Sequence, residues 1–142
     1  MGTRHKAREL AIQALYQLEV KGEAPKEIKE MMGLWESLFR GEVEAVGADR
    51  EFTFALLDGC YRNLKEIDGL IEKHSTHWKL PRMAIVDRNI LRLAVYELLY
   101  THETPTNVVL DEAIELGKKF GTVESGSFIN GILDHVAQEV RP

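Results

Sequence analysis

Apolar residues recur along almost the whole chain at spacings of three and four, and no stretch alternates as a strand would. Ala7, Ala11, Ala14, Leu15 and Leu18 form one narrow stripe at about 100° per residue, so the first helix turns that side to a core. Pro25 suits the first turn of a second helix, which runs through Ile28, Met31, Met32, Trp35, Leu38 and Phe39 to Gly41. After a loop over 41–48, the longest helix is predicted over 49–74, carried by Phe52, Leu56, Leu57, Cys60, Leu64, Ile67, Leu70 and Ile71, with Gly59 and Gly69 as its weak points.

The segment LPRMAIVDRNILRLAVYELLY, residues 80–100, leaves little of its circumference polar, which marks a central helix with neighbours on several sides. Glu97 projects within about 20° of Val86, Ile90 and Leu93, so a carboxylate is expected on the core side, with Arg88 or Arg92 to pair it. Pro105 stops that helix, Thr106 or Asn107 can cap the next, and Gly121 is a natural terminator after Phe120. Gly117 falls on the apolar side and admits a close neighbour. Ser125 then caps a last helix that buries Phe128, Ile129, Ile132, Leu133 and Val136. Six helices with short connections imply an all-α bundle, and 142 residues suffice for one domain with a full core.

Neither catalysis nor a metal is indicated. His74 and His77 share a helix face at i, i+3, but no third ligand is placed by the sequence, and Trp78, Leu80 and Pro81 mark a helix end instead. Asp134 beside His135 reads as an ordinary exposed pair, and Ser125 and Ser127 as capping residues without a nearby base. Asp111, Glu112 and Glu115 pattern as a solvated face, and there is no phosphate-binding glycine turn. Cys60 is the only cysteine, consistent with a reducing compartment. No membrane span or export signal is apparent, so the expected location is cytoplasmic.

Charge changes the picture. The protein carries a formal net charge of -5, yet Arg4, Lys6 and Arg8 stand in the first eight residues with His5 and no acid. On a helical wheel His5, Arg8, Ile12 and Tyr16 fall opposite the Ala/Leu stripe. Cations beside an aromatic suit single-stranded RNA: the cations neutralise phosphates, and a ring stacks on a splayed base for about 1 to 3 kcal/mol. The competing reading is that Ile12 and Tyr16 pack against a second helix layer, or that the face docks a protein without touching RNA.

The stretches RHKARELAIQALYQLEV, VDRNILRLAVYELLY and NVVLDEAIELGKKFGTVESGSFINGILD resemble the NusB family of bacterial transcription antitermination proteins, in order and spacing, over essentially the whole chain. The resemblance implies one all-helical domain, residues 1–142, built of two three-helix bundles with about six to seven helices and without cofactor or catalytic activity. It also implies binding of boxA-type single-stranded RNA in nascent ribosomal RNA, together with the ribosomal protein NusE, within a complex that makes RNA polymerase resist termination. By that resemblance the RNA-binding positions are Arg4, His5, Lys6, Arg8 and Tyr16, with Lys118, Lys119, Thr122, Glu124 and Ser125 around the turn before the last helix. Contacts to NusE are expected near Tyr61, Lys65, Asp68, Arg82 and Tyr96. Two departures lower the local positive charge: Arg-His-Lys stands where the family often has three arginines, and Ser127 where a lysine is common. A NusB-like domain also precedes the catalytic domain of a ribosomal RNA cytosine methyltransferase, but with the sequence ending at Pro142 a methyl-transfer role is not expected.

Overall fold

The computed structural model describes residues 2–21 and 46–142, and the helix expected over 25–41 lies outside them. The described residues form six α-helices, one short 3-10 turn and no strand: α1 (Gly2–Lys21), α2 (Arg50–Arg62), α3 (Leu64–His74), the 3-10 turn (Leu80–Arg82), α4 (Ile85–Tyr100), α5 (Thr106–Phe120) and α6 (Ser125–Val140). They fall into two compact units, Met1–Tyr61 and Arg62–Pro142.

In the first unit α1 buries far more than one stripe. Ala7, Ala11, Ala14, Leu15 and Leu18 are buried as the spacing predicts, but so are Arg8, Glu9, Leu10 and Ile12. The face opposite the stripe is therefore largely covered as well, leaving Thr3, Lys6, Gln13, Tyr16, Gln17 and Val20 exposed. At the start of α2, Asp49 caps the helix: its Oδ1 accepts the Phe52 amide at 2.9 Å, and its carbonyl accepts the Thr53 hydroxyl at 2.7 Å. The Asp49 amide in turn donates to the carbonyl of Thr3 at 3.0 Å, joining that cap to the first turn of α1.

The single helix predicted over 49–74 is two. The break comes at Asn63 (φ -116, ψ 20) rather than at Gly59 or Gly69, which both lie within helices. Asn is a poor helix former whose short amide finds partners outside the helix, and Asn63 Oδ1 accepts the Tyr100 hydroxyl at 3.2 Å. With this break α1, at 20 residues, becomes the longest described helix. Pro81 lies within the 3-10 turn, among its first residues, where a missing amide hydrogen costs nothing.

In the second unit α4 packs against α3, α5 and α6, the central position its apolar circumference required. Ile90, Leu91, Leu93, Val95 and Leu98 are nearly solvent-free, and Glu97 is buried among them. Arg92 holds the carboxylate of Asp68 on α3 through Nε at 2.8 Å and Nη2 at 3.1 Å. Pro105, rather than Thr106 or Asn107, occupies the cap position of α5, where its carbonyl accepts the amides of Val108 and Val109. At the far end Arg141 folds back over the end of α4. Its guanidinium donates to the carbonyls of Glu97, Leu98, Thr101 and Thr104 at 2.7 to 3.0 Å and to the Thr106 hydroxyl at 3.3 Å. A cation there meets both the orphan carbonyls and the negative end of the helix dipole.

Candidate nucleic-acid interface

The basic first turn of α1 is arranged around one ring. The Arg4 guanidinium lies 4.2 Å and that of Arg8 5.1 Å from the centre of Phe52, which the Asp49 cap fixes in the first turn of α2. Arg8 is buried, so its guanidinium supports this arrangement from inside, while Arg4 and His5 are half-buried and Lys6 is exposed. Arg8 is thus not presented outward as the wheel suggested, because Phe52 and its surroundings cover that side. His5 Nε2 approaches Glu9 at 3.2 Å, one turn along. Tyr16 is 44% exposed, so its ring reaches solvent while Ile12, on the same line, does not. Arg50 repeats the motif nearby, with its guanidinium 4.6 Å from the centre of Phe54. Phe52 was not among the sequence candidates. Its only local signal is an aromatic three residues after a capping aspartate.

In the second unit the turn between α5 and α6 is closed by its own hydroxyls. The Thr122 amide donates to Ser125 Oγ at 2.9 Å, and the Glu124 amide to Thr122 Oγ1 at 3.3 Å. Ser125 is the first residue of α6 rather than its cap, which is Glu124, and its buried side chain is engaged within the turn. Gly121 is required beside it, since a Cβ there would lie 2.3 Å from Ser125 Oγ. Gly117 admits α6 as the sequence implied: a Cβ would meet Ile129 Cδ1 at 3.0 Å. Lys118 and Lys119 are exposed, the first 3.8 Å from Glu115 and the second over the Phe120 ring at 5.5 Å. Thr122 and Glu124 are exposed and line a cleft of about 200 Å³ with Trp78, Arg82, Asp87 and Phe128. Phe128 is half-buried there rather than wholly in the core.

Of the positions expected to meet a protein, Lys65 and Arg82 are exposed, and Tyr61 and Tyr96 half-buried. Asp68 is committed to Arg92, and the Tyr96 ring lies 5.5 Å from that of Tyr100. Among the described residues, no group of three or more His, Cys, Asp or Glu could hold a metal ion, and no helix is long and apolar enough to cross a membrane.

Fold and surface together define an all-helical protein whose cations gather at helix ends, a chemistry suited to a polyanion. The NusB family pattern matches residues 5–138, and the chain belongs to that family. It is 46% identical over 144 residues to the transcription antitermination protein NusB of Geobacter sp. (strain M21), covering 99% of this chain and 97% of that one. Among solved structures it is similar to T. maritima NusB, at 37% identity and a TM-score of 0.82, over 100% of this chain and 96% of the other. It is also similar, at 29% identity and a TM-score of 0.79 over 98% of both chains, to a chain in a crystal structure of the antitermination factors NusB and NusE in complex with dsRNA.

Proposed function

We propose that this protein is a transcription antitermination factor that binds the boxA element of nascent ribosomal RNA together with NusE and helps RNA polymerase resist termination. The observation that carries this reading is the first turn of α1, where Arg4, His5 and Lys6 gather in an acidic protein with Phe52 behind them. The Phe52 ring holds the Arg4 guanidinium in place at the start of α1. Lys6 adds a mobile cation, Tyr16 a ring for an unpaired base, and Lys118 and Lys119 a second cationic stretch in the other unit. Arg8 and Ser125 act as supports of these surfaces rather than as contacts. Lys65, Arg82, Tyr61 and Tyr96 belong to the surface offered to NusE.

The chain works as one RNA-binding module in the cytoplasm, without chemistry of its own. The relative crystallised with NusE carries dsRNA, whereas an exposed tyrosine beside cations favours an unpaired strand. The test is fluorescence anisotropy of a labelled boxA-type RNA, single-stranded and as a duplex, with and without NusE. Wild type should bind the single strand better when NusE is present. Arg4→Glu/Lys6→Glu should lower affinity at least about tenfold and flatten the log-log salt slope by about 0.7 per lost phosphate contact. Equal binding by that variant would remove the first turn of α1 from the mechanism. Retained NusE binding without detectable RNA binding by wild type would favour a purely protein-binding module.

A further inference from the structure

A larger cleft, of about 470 Å³, lies in the second unit between the end of α3, the loop that follows it and α6. Its wall carries Lys73, His74, His77 and His135 and, among the described residues, no carboxylate, although acids outnumber bases in the protein as a whole. Three acids on the flanking elements are occupied, whereas Asp87 and Glu124 line the adjoining smaller cleft. Glu139 accepts from Lys73 Nζ at 2.9 Å and from His74 Nε2 at 2.8 Å, Glu72 accepts the Leu80 amide, and Asp134 accepts from Gln138. The His74 and His135 rings lie parallel with centres 6.3 Å apart, joining α3 to α6. Trp78, 50% exposed, and Phe128 line both this cleft and the smaller one that reaches Thr122 and Glu124, so the two clefts adjoin at these rings.

A volume within the roughly 300–1,000 Å³ typical of ligand clefts, an exposed indole and imidazoles without a metal geometry suit a nucleotide. We propose that this cleft binds one unpaired nucleotide of the RNA that also meets the α5–α6 turn, its base stacked on Trp78 and its phosphate held by His77 and His135. The proposal rests on the RNA-binding reading above. Lys73 and His74 stay with Glu139 and form the rim. His77 and His135 are exposed on the loop and on α6, where ring N–H groups can donate to a phosphate.

The experiment measures anisotropy of a fluorescein-labelled single-stranded boxA-type RNA with the NusE complex, for wild type, His77→Ala/His135→Ala and Trp78→Leu. The double variant, having lost both phosphate donors, should weaken binding by roughly tenfold. Trp78→Leu should weaken it by a similar factor. Wild-type affinity in either variant overturns the proposal. Binding that still depends on Arg4 and Lys6 would then leave the RNA-binding function standing. Absence of RNA binding by wild type would overturn the two together.

Discussion

Replacing Arg141 tests how the second unit is held together. One guanidinium serves four carbonyls and a hydroxyl, tying the end of α4 and the 101–106 connection to the end of α6. A hydrogen bond from a charged donor contributes about 1.5 to 3 kcal/mol net, so five would nominally exceed 7 kcal/mol. That sum is too large. Arg141 is only half-buried, so several acceptors regain water, and the Glu97 carbonyl keeps its bond from the Thr101 amide at 2.9 Å. Counting two bonds fully lost gives about 3 kcal/mol for Arg141→Ala. With an unfolding entropy of about 2.1 cal/mol/K per residue, or about 0.3 kcal/mol/K for this chain, Tm should fall by about 10 °C. Arg141→Lys should recover little, because an ammonium cannot reproduce the planar fork. Thermal unfolding followed by circular dichroism measures both. A loss below about 1 kcal/mol for Arg141→Ala would show that these carbonyls rehydrate at little cost and that the clamp is incidental.

Phe52→Leu removes the ring beneath Arg4 but keeps an apolar side chain, so RNA affinity by anisotropy should drop about three- to tenfold while helix content by circular dichroism stays near wild type. Gly121→Ala forces a Cβ against the Ser125 side chain and the Gly117 carbonyl, and denaturant unfolding should register a loss of about 1 to 3 kcal/mol. The hydrogen bonds from Lys73 and then His74 hold the Glu139 carboxyl below its usual range. A depressed carboxylate stabilises above its unfolded pKa, and that contribution disappears as pH falls through the folded one. The Tm difference between wild type and Glu139→Gln should therefore be present at about pH 7 and be lost as pH falls below the ordinary carboxylate range.

Most of the helical framework could be read from local pattern, because periodicity, Pro105, Gly121 and the central helix's apolar circumference each act over a few residues. What could not be read are contacts between distant segments. Arg8 and Ile12 look like an outer face until other parts of the fold cover them, and a helical wheel contains no information on that cover. Phe52 reaches Arg4 across 48 residues of sequence, with only a capping aspartate to mark it. His74 and His135 looked like an ordinary helix-end residue and an ordinary exposed one until α3 and α6 packed together. The break at Asn63 was missed because Gly59 and Gly69 were the more obvious weak points, yet the helices absorb both. The RNA contacts expected on α1 rested on its charge and helical wheel and those at the α5–α6 turn on family resemblance; the structure separates exposed Lys6, Tyr16, Lys118 and Lys119 from buried Arg8 and Ser125.

Whether RNA meets the first turn of α1 can be read residue by residue in an NMR titration of the labelled protein with boxA-type RNA, followed by NusE. Amides of residues 3–8, then those of 118–124, should shift on RNA addition, and NusE should strengthen those shifts while adding others near Lys65 and Arg82. Unchanged amides throughout residues 3–8 in the presence of both partners, with RNA demonstrably bound, would contradict that contact.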